Sequence, residues 1–258
     1  MKSPGMRIDI NCDLGEGCGN DEYDADEAVM PFITSANIAC GFHAGNPLTI
    51  EKSVKSAISN GVGIGAHPGY PDREGFGRRP VRMSNEELRA LILYQAGAVK
   101  GIAEAAGGRM QHVKPHGALY NTAAVNYEMA MVIVKAVMDL DPSLTLVGLS
   151  GSELIRAARD AGLPCASEVF ADRAYNDDGT LVSRNTEGAL LHDTAAVISR
   201  AVRMITGKTV ESVNGKIIPI EADTICIHGD NEMAAAFAKN LSETLIKRGI
   251  ELKYYGKG

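Results

Sequence analysis

The sequence predicts an α/β fold built on a parallel sheet, and three observations carry that expectation. Short apolar, often β-branched runs alternate with helical periodicities about seven times along the 258 residues, the beat of repeated βα units. No composition shift or Ser/Pro-rich linker divides the chain, which reads as one domain over residues 1–258. Polar and titratable side chains gather directly after the strand candidates, where parallel βα folds build their sites. Right-handed crossovers then make the strands parallel. A closed (β/α) barrel and an open doubly wound sheet both satisfy the pattern, and the length lies near the ~250 residues typical of barrels.

Strand candidates cover residues 7–11, 36–40, 63–66, 111–114, 144–149, 165–169 and 224–228. Each is short and largely apolar, as strands buried on both faces require. A helix over 47–60 stops at Gly61, and one over 84–106 opens on a Ser84/Glu87 capping box and ends at Gly107-Gly108. Helices over 127–140, 151–161, 187–205 and 231–248 follow, the first halted before Pro142 and the last opening after Asp230 and closing at Gly249. Residues 210–220 interrupt the beat, because Asn214-Gly215 between apolar flanks signals a hairpin.

Charge and composition exclude several functions. With 32 acidic against 26 basic residues the net charge is -6, so the basic footprint that nucleic acid or an anionic membrane surface needs is missing. Residues 1–10 carry no apolar signal core, and the most apolar later stretch, 129–140, is interrupted by Lys135; neither a signal peptide nor a spanning helix is expected. Five Cys at 12, 18, 40, 165 and 226 form no C-x-x-C pair, which fits free thiols in the cytoplasm. The 28 Gly against no Trp and 5 Phe fit a fold with many short loops.

The strand ends hold the chemistry. Asp13 and Glu16 follow the first, and His43, His67, His116 and His228 lie at or just after the second, third, fourth and seventh. Asp9, Asn11 and Asp13 share one strand face by period two, so Asp9, Asp13 and Glu16 form a carboxylate cluster suited to a base or to metal ligation. Histidine with carboxylate suits a divalent metal, although no His-Glu-x-x-His spacing accompanies it. The Gly- and Pro-rich segment 65–79 reads as a lid whose Arg73, Arg78 and Arg79 suit a carboxylate or phosphate, and 170–184, with Asp172, Arg173 and Tyr175, reads as the facing wall. Gly207-Lys208-Thr209 is no P-loop, since Val202 stands where its first Gly belongs, and the glycines at 61, 63 and 65 lead into a strand and make no dinucleotide fingerprint.

Six segments, Asp-Ile-Asn-Cys-Asp-Leu-Gly-Glu-Gly (9–17), Ala-Asn-Ile-Ala-Cys-Gly-Phe-His-Ala-Gly (36–45), Gly-Ala-His-Pro-Gly-Tyr-Pro-Asp (65–72), Val-Lys-Pro-His-Gly-Ala-Leu-Tyr-Asn (113–121), Glu-Val-Phe-Ala-Asp-Arg-Ala-Tyr (168–175) and Ile-His-Gly-Asp (227–230), together resemble the LamB/YcsF family. The resemblance implies a seven-stranded parallel, TIM-like (β/α) barrel related to the glycoside hydrolase/deacetylase superfamily. It also implies the A component of an ATP-dependent 5-oxoprolinase, which opens the 5-oxoproline lactam to L-glutamate with formation of ADP and phosphate and works with partner subunits B and C. Two departures stand out: Asn46 where the family commonly has Asp, and Val182-Ser183-Arg184 where many relatives read Val-Pro-Arg.

On this reading the catalytic candidates are Asp13, Glu16, His43, His67, His116 and His228, and the substrate-binding candidates are Asn11, Asn37, Arg78, Lys114, Asp172, Arg173 and Tyr175. ATP is shared with the partner subunits, and a divalent metal is an open expectation. The alternatives are a stand-alone metal-dependent amide hydrolase or deacetylase, and a non-catalytic subunit that binds 5-oxoproline.

Overall fold

Strand β1 (Arg7–Leu14) pairs in parallel with β2 (Ser35–Ala39) on one side and with β9 (Thr224–Ile227) on the other, and this double pairing closes a barrel. Between them run β3 (Gly63–His67), β4 (Met110–Val113), β5 (Thr145–Leu149) and β6 (Cys165–Phe170), so that seven parallel strands form the ring in the order β1-β2-β3-β4-β5-β6-β9. Closure decides between the two architectures that the sequence leaves open. The computed structural model describes residues 5–17, 26–184, 186–227 and 234–255. A two-residue strand, β10 (Glu251–Leu252), adds to the start of β1 outside the ring.

Helices α1 (Pro47–Asn60), α2 (Asn85–Ala105), α3 (Gly117–Val125), α4 (Tyr127–Leu140), α5 (Glu153–Ala161), α6 (Thr194–Gly207) and α7 (Ala234–Lys247) lie between the strands. Their starts follow capping chemistry. Ser84 Oγ accepts from the Glu87 amide while Glu87 Oε2 accepts from the Ser84 amide, the expected capping box of α2. Asn46, the departure from the family pattern, caps α1 by accepting from the Leu48 and Thr49 amides at 2.9 and 3.0 Å.

Four expectations are corrected. β1 runs on to Leu14, which puts Asp13 on the strand and not in the loop after it. The helix expected from 187 starts at Thr194, because Asp193 accepts from the Ala195 and Ala196 amides and so sets the N-terminus. The helix expected from 151 starts at Glu153, with Ser152 as its cap. Helix α3 has no counterpart among the expected elements. The hairpin expected at Asn214-Gly215 is present as β7 (Thr209–Glu211) against β8 (Ile217–Pro219). His228, Asp230 and Asn231 lie outside the described residues.

Two cores result from the period of two along the strands. Ile8, Ile10, Cys12 and Leu14 of β1 join the apolar cluster shared with helix residues such as Ile92, Leu119 and Ile133, all nearly unexposed. The alternate residues Asp9, Asn11 and Asp13 join Asn37, His112, Lys114, Glu168 and Thr224 in one hydrogen-bonded network. Buried polar atoms of this kind are tolerated because partners satisfy them. Asp9 sits at one end of that network, bonded by Thr34, Ser35 and Thr224 hydroxyls, and burial raises its pKa. The expected three-carboxylate cluster therefore divides: Asp9 belongs to this buried hydroxyl ring, apart from Asp13 and Glu16.

Candidate active site

The strand ends open into a cavity of about 550 Å3 that Asp13, Glu16, His67, His116, Lys114, Tyr120, Phe170 and three arginines line. Asp13 comes from the end of β1, Glu16 from the turn after it, His67 from the last position of β3, and Lys114 and His116 from the segment between β4 and α3. Catalytic candidates spread over a hundred residues of sequence are thus neighbours.

Lys114 is 2% exposed, and its ammonium is 2.9 Å from Asp13 Oδ1 and 2.8 Å from Glu168 Oε1. Asn11 Oδ1 and Cys226 Sγ are each 3.2 Å away. An ammonium has three N–H donors, and these acceptors use them. Lys114, expected to bind substrate, lines the cavity with its ammonium already held by two carboxylates. Burial alone would raise the Asp13 pKa, but His67 and Lys114 beside it hold the carboxyl well below the usual range. Asn11 and Asn37 are likewise turned inward, 1% and 0% exposed, with Asn37 Nδ2 donating to Asn11 Oδ1 and Asp13 Oδ1 at 2.7 Å each. They support Asp13 from behind and do not line the cavity.

Above Asp13 three imidazoles converge on one carboxylate. Glu16 Oε1 is 3.1 Å from His43 Nε2, 3.1 Å from His116 Nδ1 and 3.8 Å from His67 Nε2. His67 Nδ1 donates to the Lys114 carbonyl at 2.7 Å and His116 Nε2 donates to the Phe76 carbonyl at 2.8 Å. Those bonds fix the tautomers, so His67 Nε2 and His116 Nδ1, only 3.0 Å apart, face each other as lone pairs in the neutral rings. Lone pairs meeting beside a carboxylate call for a cation, either a proton or a metal ion. Burial would lower the His67 pKa, yet the Asp13 charge, 3.4 Å away, raises it. Burial pushes His43 down to about 4.

The donor set also fits a metal. Glu16, His43, His67 and His116 offer four ligand atoms within 4.8 Å of one another, and tetrahedral Zn–N bonds of 2.0–2.1 Å would set about 3.4 Å between ligand atoms. Backbone carbonyls receiving the far N–H of His67 and His116 are the usual second layer of such sites. Three imidazoles with one carboxylate suit zinc or a neighbouring transition metal.

The lid segment contributes through its backbone. Phe76 has φ +53°, a left-handed conformation that is strained for a non-glycine residue. That turn aims its carbonyl at His116, and its ring stands edge-on to His43 and His116 at 5.7 and 5.2 Å. Arg78 lies 4.9 Å over the same ring and lines the cavity. Its expected companions do other work. Arg73 donates to the Gly41 and Gly45 carbonyls, tying the lid to the loop after β2, and Arg79 is paired with Asp72.

On the facing wall Arg173 is 5% exposed; Nη2 donates to the Val182 carbonyl, and Nε has no partner among the described residues. Burial lowers its pKa. Asp172 and Tyr175 are not among the cavity-lining residues, and the Tyr175 hydroxyl accepts from the Phe170 amide as an internal brace. Arg184, at the end of the loop read as the facing wall, lines the cavity, while sequence reasoning missed Tyr120, whose hydroxyl donates to Glu168 Oε2 at 2.7 Å. The signal for Tyr120 was its place one turn into the helix that starts at Gly117, inside a segment already marked by Lys114 and His116.

The sequence pattern of the LamB/YcsF family matches residues 8–257, and the chain belongs to that family. It is 51% identical over 246 residues to the A component of 5-oxoprolinase from Alkaliphilus metalliredigens, covering 95% of this chain and 96% of that protein. It is 51% identical over 248 residues to the component of the same name from Acinetobacter baumannii, covering 96% and 98%. Among solved structures, the lactam utilization protein of Thermus thermophilus superposes with a TM-score of 0.90 at 42% identity, over 97% of this chain and 100% of that one. An uncharacterized protein of Agrobacterium tumefaciens, at 13% identity and a TM-score of 0.58 over 98% and 89% of the two chains, shares the fold.

Proposed function

We propose that the chain is the lactam-opening subunit of an ATP-dependent 5-oxoprolinase and converts 5-oxo-L-proline to L-glutamate together with subunits B and C. The observation that carries this reading is the Asp13 carboxylate, paired with Lys114 at 2.9 Å, beside the Glu16/His43/His67/His116 cluster on the floor of a cavity walled by Arg78, Arg173 and Arg184. Relatives named as the A component of 5-oxoprolinase, alike over nearly the whole chain, support it.

In the reaction the lactam C–N bond breaks, the carbonyl carbon gains the oxygen of water, and the ring nitrogen leaves as the amine of glutamate. Arg173, buried with an unused Nε–H, binds the substrate carboxylate, with Arg78 as its partner across the cavity. Asp13 stays ionised because Lys114 neutralises it, and its Oδ2 takes the proton of the attacking water and returns it to the departing nitrogen. Glu16, His43, His67 and His116 would hold a divalent metal, which when bound acidifies water and polarises a carbonyl. ATP coupling is assigned to the assembly, because the sequence carries no recognisable phosphate cradle.

The deciding experiment measures glutamate release from 5-oxoproline, with and without ATP, for this chain alone and with candidate B and C subunits. Turnover only in the ATP-supplied assembly supports the reading; none in any combination overturns it. The ligand-like His/Glu cluster favours one second reading, a stand-alone metal-dependent amide hydrolase. ATP-independent, chelator-sensitive turnover by the chain alone would select it. Free thiols at Cys12, Cys40, Cys165 and Cys226 suit a cytoplasmic setting, and among the described residues no helix is long and apolar enough to cross a membrane.

A further inference from the structure

His112 lies on β4 beneath the cavity, 4% exposed and outside both the ligand cluster and the cavity lining. Its Nε2 is 2.7 Å from Asn37 Oδ1. The polarity of this contact is set from the other end. The Lys114 ammonium can only donate, so the Asn11 and Asp13 oxygens it meets at 3.2 and 2.9 Å are acceptors, and the Asn37 atom 2.7 Å from Asp13 Oδ1 is the amide nitrogen. The same nitrogen reaches Asn11 Oδ1 at 2.7 Å. Asn37 Oδ1 must therefore face His112, and His112 must donate to it. A flipped amide would set its oxygen against two acceptors at once.

The chain thus runs in one direction, from His112 Nε2–H through Asn37 Nδ2–H to Asp13 Oδ1. Lys114 donates to the same Oδ1 at 2.9 Å. With Oδ1 held by two donors, the carboxylate cannot rotate freely, and Oδ2 is left toward His67, 3.4 Å away. Room for the His112 ring comes from Gly65 on the neighbouring strand: a Cβ there would lie 2.0 Å from His112 Nε2. A backbone kept bare to admit an imidazole is a built arrangement.

We propose that His112 is a positioning residue for this reaction, acting through Asn37 to fix the rotation of the Asp13 carboxylate. The proposal rests on the reading of Asp13 as the proton acceptor. His112 touches neither substrate nor ligand cluster; its effect is on how often Asp13 Oδ2 is aimed at the reacting water, and so on kcat more than on KM.

The test uses the full chain in the assembly that releases glutamate. His112→Leu keeps the volume apolar and removes the donor, leaving Asn37 Oδ1 buried without a partner; kcat falls about 10- to 100-fold, with KM changed by less than about 2-fold. His112→Gln restores an N–H donor and stays within about 3-fold of the unsubstituted rate. Gly65→Ala, which displaces the ring without altering it, behaves as His112→Leu does and keeps the test open should the leucine chain fail to fold. A cooperative thermal melt, lowered by the unpaired Asn37 oxygen yet well above the assay temperature, together with an unchanged bound-zinc stoichiometry, separates positioning from collapse. A folded His112→Leu chain with full kcat, a loss confined to KM, or a glutamine variant no better than leucine overturns the proposal. Asp13→Asn in the same assay distinguishes the two levels: full turnover there removes the reading of Asp13 itself, whereas lost turnover there with an unimpaired His112→Leu removes only the buttress.

Discussion

Lys114 and Asp13, separated by a hundred residues of chain, form a buried ion pair at 2.9 Å in which the lysine is also 2.8 Å from Glu168. One ammonium thus serves two carboxylates. Removing one member of such a group strands the rest in a poorly solvated interior. Lys114→Met is therefore expected to destabilise the fold by about 3–5 kcal/mol and to abolish glutamate release. Urea unfolding measures the first effect, and a loss below about 1 kcal/mol would mean that the carboxylates do not depend on the lysine.

The facing lone pairs of His67 and His116 lead to a metal prediction. Protein stripped with chelator and titrated with zinc in a calorimeter should bind one ion per chain, more weakly as pH falls, since the imidazoles must be deprotonated to ligate. His116→Ala should weaken binding by at least about 10–100-fold, the range typical of substitutions one layer further out. Unchanged affinity in that variant would place the ion elsewhere.

Arg173 is the cation whose buried Nε is unused among the described residues. A charge-assisted bond is worth about 1.5–3 kcal/mol, so Arg173→Gln should raise KM for 5-oxoproline by roughly 10- to 150-fold. Its melting temperature should fall little, because relief of the buried charge offsets the lost bond to the Val182 carbonyl. An unchanged KM would exclude the carboxylate contact.

Acid should unfold the metal-free chain through its histidines. Burial pushes His43 down to about 4 and His112 to about 3, from an ordinary value of 6.5. In the unfolded chain both rings take up protons near pH 6.5, so their contribution is complete above that pH and is lost as pH falls toward those folded values. The full loss is about 3 kcal/mol for His43 and about 5 kcal/mol for His112. Asp13 and Glu16, both lowered, add to the loss only below their ordinary values of 3.8 and 4.5. His67 has the opposite sign: raised in the fold, it stabilises fully below pH 6.5 and its contribution disappears as pH climbs through its folded value. Urea midpoints between pH 4 and 8 should drop steeply on the acid side; a flat profile from pH 7 to 5 would contradict the buried neutral rings.

Much of the architecture is legible in the sequence because helix signals are local. The Ser84/Glu87 box and the Asn214-Gly215 turn each involve residues within a few positions of one another. Where local signals compete, the pattern misleads. Glu187 begins an apolar-periodic stretch, but Asp193 satisfies the free amides of the first turn, and the helix starts after it. Histidines and carboxylates at strand ends are recognisable as a rim, since parallel strands all end on one side; their individual roles are not.

By itself the sequence determined the βα period, the starts and stops of α1, α2 and α4, the hairpin, and the presence of Asp13, Glu16, His43, His67 and His116 at one rim. Only the closed barrel decided who meets whom. The joining of β1 to β9 brings Asn11 against Thr224, 213 positions away, and the shared register carries Lys114 to Asp13 and Glu168. It also turned Asn37 from a substrate ligand into a link between His112 and Asp13. The physical reason is that inward-facing polar groups in a closed ring must satisfy one another without water, and that requirement depends on distances between strands, which no single stretch of sequence contains.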